Sequence, residues 1–508
     1  MLPSRTDRSS IRKKDFQFLI TCQCFLKPEL NEKRQLLDTR VSIRTSKLNK
    51  LNLSGKKQLS RRRFLQLTAL AAGSSTIGFP NLVRATDSNQ KLNVGFIGLG
   101  GMGSGRLKES LTCGINVSAF CDVDDEQMAK ARRFLPEPAP APKTFTDFRD
   151  LLQSDVDAVV IATPDHWHAS ISAAALRAGK HVFCEKPLTH TISEARALRQ
   201  LARQFPRQAT QMGNQGSASP NMRRAIEIIQ SGAIGTVREV HVWVPPSGSF
   251  KAGQSWPTGE NPVPAGLHWE NWIGPAPFHA YKDGCYHPRA WRAWYDFGGG
   301  SMADWGCHGL NLPARALKLG YPTFIAPEVQ HGYSDSYPKG VRIRFEFAAR
   351  HELPPVTLWW YDGGWLPDEK IVPASVVEHI GNLPDAGVLI RGDRGFTFGA
   401  PHPGANYIQL DDEKKLSGIL NHQATQDVPF TLPRSPGHLK EWVDAANGGP
   451  ATFSDFETGG QLTEIVLSGV VALRMQKTLS WNGSEMRATH EPEAEKYIQA
   501  HYRKDWKT

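Results

Sequence analysis

From residue 91 onward, short apolar runs alternate with longer segments whose apolar positions recur every three or four residues. KLNVGFIGLGGMGSGRL (91–107) is an apolar strand, a glycine turn and a helix start. INVSAFCD (115–122), DAVVIATP (157–164), HVFCEKPLT (181–189) and QATQMGN (208–214) are further strand candidates, with helical periodicity over 167–178 and 192–204. Continuous apolar strands between helices predict a parallel, doubly wound sheet. Beyond residue 214 the pattern changes. RRAIEIIQSGAIGTVREVHVWV (223–244) predicts a helix, a glycine turn and a strand. VRIRFEF (341–347), PVTLWWY (355–361), GVLIRG (387–392) and GFTFG (395–399) alternate as strands, and helices follow near 437–447 and 458–476. That order predicts an α+β second domain: a largely antiparallel open sheet, one face under helices and the other available to a ligand. The expected division is an α/β first domain over 86–213 and the second domain over 214–508.

The glycine turn carries candidate chemistry. Gly98, Gly100 and Gly103 fit G-x-G-x-x-G, with Gly101 and Met102 in the same turn. Such a turn lets a backbone approach a pyrophosphate, whose charge the amides of the helix N-terminus meet. Asp122 closes the second strand, 19 residues past Gly103. A carboxylate there binds an adenosine ribose hydroxyl and repels a 2′-phosphate, which favours NAD over NADP; a loop-capping aspartate is the plain alternative. Thr163, Pro164, His168, Glu185 and Lys186 fall at or just past strand ends, where ligands of such sheets bind.

Composition narrows the classes. The 508 residues carry a formal charge of +10, but residues 1–85 hold 18 Lys/Arg against five Asp/Glu, a balance of +13, so residues 86–508 carry −3. A nucleic-acid partner loses its support. The seven cysteines include no CxxC pair and read as buried thiols. Within the basic start, SRRRFLQ (60–66) precedes a short apolar run diluted by Gly and Ser and a small-residue site near Ala85. This resembles a twin-arginine signal over 60–85 and predicts export to the periplasm, with a tether by the uncleaved segment as the alternative. The run is too short for stable membrane insertion. Residues 1–59 are expected to be a disordered extension or a misassigned start.

ATPDHWHA (162–169) and CEKPLT (184–189) together resemble the Gfo/Idh/MocA family, which includes glucose–fructose oxidoreductase and inositol dehydrogenase. The resemblance implies a nicotinamide-dependent oxidoreductase. It places Lys186 beside the nicotinamide and the substrate hydroxyl, and matches His168 to the family's histidine after A-T-P, either shaping the cofactor site or lying on a helix face. This chain has Asp165-His166-Trp167 where the family usually has Asn. HWENWIGPAP (268–277), WRAWYDFGGGSMADWGCHGLNLP (291–313) and GHLKEWVDAANGG (437–449) extend the resemblance toward an exported branch of the family. By that resemblance Asp304 and His308 form a D-x-x-x-H element, one helical turn apart.

The expected roles are His308 as general base or acid, Asp304 as substrate anchor and tuner, and Lys186 as proton relay and alkoxide stabiliser. A metal half-site and an ordinary helix start are the competing readings of GGGSMADWGCH (298–308); no HExxH or third ligand at motif spacing appears, so no metal is expected. The aromatic stretch 245–300 suits sugar stacking or the packing of a long irregular excursion. The expected activity is NAD-dependent oxidation of a secondary hydroxyl on a sugar or cyclitol. The alternatives are redox-neutral glycoside cleavage through transient oxidation, and a non-catalytic sugar-binding protein. The resemblance also implies a homo-oligomer, formed through the open face of the second sheet.

Overall fold

A computed structural model describes residues 91–506 apart from 139, 247–251 and 331. The expected extension (1–59) and signal (60–85) lie outside the described residues.

The first sheet holds six parallel strands: β1 (Asn93–Ile97), β2 (Asn116–Cys121), β3 (Lys143–Phe145), β4 (Ala158–Ile161), β5 (His181–Glu185) and β6 (Thr210–Gly213). Their order is β3-β2-β1-β4-β5-β6, so the chain reverses direction across the sheet between β1 and β4. Strand ends part at such a switch point and leave a crevice for a ligand. Val94, Phe96, Val159, Val160, Val182 and Phe183 are at most 1% exposed, as strands covered on both faces require. Helix Ile192–Gln204 starts at a capping box, Thr191 with Glu194. Helix Asp165–Arg177 starts two residues before its expected position, because Pro164 at the cap sets the entry.

The second sheet holds ten strands: β7 (Glu239–Trp243), β8 (Phe324–Gln330), β9 (Gly340–Phe347), β10 (Val356–Asp362), β11 (Gly387–Arg391), β12 (Gly395–Gly399), β13 (Asn406–Leu410), β14 (Ser417–Gly418), β15 (Leu479–Asn482) and β16 (Arg487–Thr489). The order is β14-β13-β12-β11-β7-β10-β9-β8-β15-β16. β7 and β10 run parallel, and the other neighbouring pairs in this sheet run antiparallel. Helix Phe456–Met475 packs on the inner face, where a Cβ on Gly469 would lie 2.8 Å from Phe345. The outer face departs from expectation. Segment 363–386 folds back over it, and Val372 and Val376 bury Trp243, Tyr361, Leu389, Phe396 and Phe398. Over those strands the sheet is covered by its own chain, where a face open to a ligand was expected.

An ionic network fixes one sheet against the other. Glu464, on helix Phe456–Met475, accepts from Arg199 Nη1 at 2.6 Å and from Arg196 Nη2 at 2.6 Å, both on helix Ile192–Gln204. Tyr321 Oη accepts from the same two arginines at 2.6 and 3.0 Å. Trp442, fully buried, meets Phe183 edge-on at 5.9 Å. Burying a large apolar side chain of this kind stabilises by about 1.5–3 kcal/mol. The relative placement of β5 and the second domain therefore rests on packed and paired groups.

Candidate active site

The glycine turn follows from close packing. Gly98 has φ +83°, and a Cβ there would lie 2.7 Å from the Ala162 backbone. A Cβ on Gly103 would lie 1.9 Å from the Gly98 carbonyl oxygen, so only glycine lets helix Gly101–Ser110 start this close to β1. Gly100 and Gly101 are different: a Cβ there would meet nothing within 4 Å. Their outer side is open space at a helix N-terminus, whose first-turn amides lack helical partners. Met102 sits beside them, 41% exposed. Asp122 directly follows β2 under this turn, accepting from Leu99 N at 2.5 Å and from Asp124 N at 3.0 Å. Burial pushes its carboxyl up to about 6 against those two hydrogen bonds. An open amide cradle with a carboxylate one strand over fits a dinucleotide diphosphate and ribose.

The wall beyond the cradle is braced from behind. His168 is 1% exposed, with Nδ1 at 2.7 Å from the Pro187 carbonyl and Nε2 at 2.9 Å from the Thr163 carbonyl. It lies on helix Asp165–Arg177, between the Thr163-Pro164 turn and the segment after β5. Glu185 is 4% exposed, and its Oε1 accepts from Arg106 Nε at 2.6 Å. It reaches the cradle through the helix that carries Arg106, not through its own surface. Thr163 Oγ1 is buried without a protein partner.

Lys186 leaves the end of β5 and crosses to the second domain. Its Nζ donates to the Asp304 backbone oxygen at 2.7 Å and to Asp304 Oδ1 at 2.6 Å, with side chains 9% and 22% exposed. Arg292 Nε also donates to Asp304 Oδ1, at 3.2 Å. Burial alone raises a carboxyl's pKa, but Lys186 and Arg292 outweigh it and hold Asp304 well below the usual carboxylate range. Both helpers donate to the same carboxylate oxygen. His308 lies one turn on in helix Gly300–Gly309, 5% exposed, with Nδ1 unpartnered. Burial, Lys186 and His402 keep its imidazole far below its ordinary pKa, so it is neutral.

The tripeptide before this helix serves packing. Gly300 has φ +61°, and a Cβ there would lie 1.9 Å from the Tyr337 ring. Likewise the aromatic excursion is spent on itself: Trp269, Trp272, Trp291, Trp294, Tyr281 and Tyr286 are all at most 7% exposed and form their own cluster. Packing accounts for these six rings.

Three groups joined the site without a sequence signal strong enough to find them. Arg292 lies twelve residues before Asp304 in the same quoted stretch. Asp165 is 5% exposed; burial pushes its carboxyl up to about 8 although Arg292 and Lys186 oppose this. Burial thus favours its protonated form. His402, in the β12–β13 turn, sets its ring 4.1 Å from that of His308 and 4.6 Å from Trp305. It is a single histidine in a loop with no motif around it.

The comparisons with known proteins converge on this architecture. Residues 92–212 match the NAD-binding Rossmann fold of an oxidoreductase family, and residues 221–318 match the same family's C-terminal alpha/beta domain. A glycosyl hydrolase family 109 protein of Shewanella pealeana is 34% identical over 161 residues, 27% of this chain and 35% of that protein. An inositol 2-dehydrogenase of Salmonella paratyphi B is 31% identical over 153 residues, 30% of this chain and 45% of that protein. The alignments span less than half of these relatives' length. The structure of an aldose-aldose oxidoreductase from Caulobacter crescentus, complexed with glycerol, superposes with a TM-score of 0.53 at 16% identity, over 77% of this chain and all of that one. Over residues 92–212 and 221–318 the chain matches the Gfo/Idh/MocA oxidoreductase family, an NAD-binding Rossmann domain followed by that family's C-terminal domain.

Proposed function

We propose that the chain oxidises or reduces a secondary hydroxyl of a sugar, cyclitol or sugar derivative with NAD, using Lys186, Asp304 and His308. The observation that carries this reading is the contact between Lys186 Nζ and Asp304 Oδ1 at 2.6 Å, which brings an ammonium from the NAD-binding domain to the element that bears His308. When bound, the nicotinamide supplies the hydride acceptor or donor. The chain's own residues manage a proton and a charge. A hydroxyl loses its proton as hydride leaves its carbon, so the base has to be neutral beforehand. His308 meets that condition, and its unpartnered Nδ1 is buried. Lys186 spends two of its three donors on Asp304; the third favours a developing alkoxide. Asp304, held ionised, fixes the ammonium and accepts from a substrate hydroxyl. Asp165, whose carboxyl burial pushes toward the protonated form, is close enough to feel both Lys186 and Asp304.

The test is incubation of the purified protein with NAD and a carbohydrate panel, following absorbance at 340 nm and released sugar together. Net NADH formation supports the dehydrogenase. A second reading, redox-neutral glycoside cleavage by transient oxidation, draws on the relative named as a glycosyl hydrolase and expects released sugar without net NADH. Binding without either product leaves a sugar-binding protein. Export of the folded protein rests on SRRRFLQ (60–66); an exported chain that begins before residue 60 contradicts it.

A further inference from the structure

The aromatic excursion has a consequence at the other end of the NAD site. The loop after β2 carries Asp122, the carboxylate expected at the adenosine ribose, then Val123 and Asp124. The excursion docks on this loop from the second domain. His268 N donates to the Val123 oxygen at 2.8 Å, and Asp125 N donates to the Gly266 oxygen at 3.0 Å. Asp124 and Leu267 form an antiparallel bridge. Val123, Leu267 and Cys285 pack on the buried tryptophan cluster. His287 Nε2 then sits 2.9 Å from Asp124 Oδ2, with both side chains under 20% exposed.

The contacts form one relay. His287 holds Asp124, whose other oxygen caps helix Asp125–Arg132 through Glu126 N at 2.9 Å. The Asp124 amide holds Asp122 Oδ1, and Asp122 Oδ2 holds the Leu99 amide in the glycine turn. A long irregular segment buried to this degree restricts its loop far more than a solvent-facing β–α connection does. A loop fixed in its ligand-ready shape loses less entropy on binding, and has to open before the ligand leaves.

We propose that the excursion 252–297 is a clasp for the bound cofactor, with His287 as the positioning residue that locks the Asp122 loop and slows release of the adenosine end. Its consequence is slow exchange of the bound cofactor. The proposal rests on NAD binding by the first domain.

The test uses the full-length protein loaded with NADH, chased with excess NAD while NADH fluorescence decays. His287→Ala is expected to release NADH at least tenfold faster than wild type. His287→Gln, which keeps a donor for Asp124, is expected to fall within about threefold of wild type. A thermal melt of each protein free of cofactor separates locking from general support, since mere packing lowers the melting temperature without changing the release rate. If His287→Ala does not fold, Asp124→Asn serves, because it keeps an oxygen for the Glu126 amide while losing the charge that faces His287; faster release is again expected. Release from His287→Ala (or from Asp124→Asn) within twofold of wild type overturns the clasp, as does His287→Gln releasing as fast as His287→Ala. A wild-type protein that takes up no NADH refutes the cofactor reading itself.

Discussion

Replacing Lys186 with Met removes one ammonium and little volume. The structure sets the cost. Nζ lies 2.6 Å from Asp304 Oδ1 with the two side chains 9% and 22% exposed, so the substitution strands a largely desolvated carboxylate. Breaking a buried pair costs about 3–5 kcal/mol. Arg292 Nε remains at 3.2 Å and keeps part of the attraction, which places the loss near the lower end, roughly 3 kcal/mol. For a chain of this size that corresponds to a drop of roughly 6 °C or less in Tm. The pH dependence has a definite sign. Asp304 has a depressed folded pKa, so its stabilisation is present above the unfolded value of about 3.9 and is lost as pH falls through the folded value. The difference between wild type and Lys186→Met is therefore full at pH 7 and shrinks below about pH 4. Turnover falls by roughly 10²–10⁴, the usual worth of a positioned acid–base group. NAD affinity stays within a few-fold, because the cradle at Gly100 and Asp122 is untouched. Thermal melts at several pH values and single-turnover kinetics check each part. Wild-type-like turnover removes Lys186 from the chemistry, and an unchanged Tm at pH 7 refutes the desolvated pair.

Three further outcomes follow from the same contacts. NAD affinity, measured by titration, is expected to be flat above about pH 7 and to weaken as pH falls through about 6, where the buried Asp122 carboxyl gains its proton and ceases to be a full acceptor. Removing His402 takes away a neighbour that keeps His308 neutral, so the acid limb of the kcat/KM profile of His402→Ala moves to higher pH; an unmoved limb separates the two rings functionally. Glu464→Gln leaves two arginines facing a neutral amide in the interdomain network, and a loss of roughly 3 kcal/mol by denaturant titration is expected, with no change if the network is idle.

Much of the first domain was legible because each strand is a short apolar run and each turn has its own chemistry. Gly98 and Gly103 are glycines for reasons visible in the pattern and confirmed by the clashes a Cβ would make. The second sheet was harder. β9 and β12 appear where alternation is clean, whereas β8 contains Pro327 and has a weak in-out pattern, and β14 is only two residues long. Nothing local announces that β7 and β10 run parallel, since that pairing joins residues more than a hundred positions apart. The site divides likewise. Lys186, Asp304 and His308 stand in motifs, and the fold brings Lys186 and Asp304 into contact across 118 positions. Asp165 and His402 matter only through three-dimensional neighbours, and GGG at 298–300 serves Tyr337 and local packing, which no pattern of small residues reveals.

The central claim is that one hydroxyl meets groups from both domains. NAD-loaded wild type and His308→Ala, matched for cofactor occupancy, are mixed with a carbohydrate panel and followed at 340 nm in a single turnover. A rise is expected for wild type with at least one sugar or cyclitol, lasting or transient, and a rise at least a hundredfold slower for His308→Ala. Equal rises in the two proteins, or no rise in wild type with any member of the panel, contradict it.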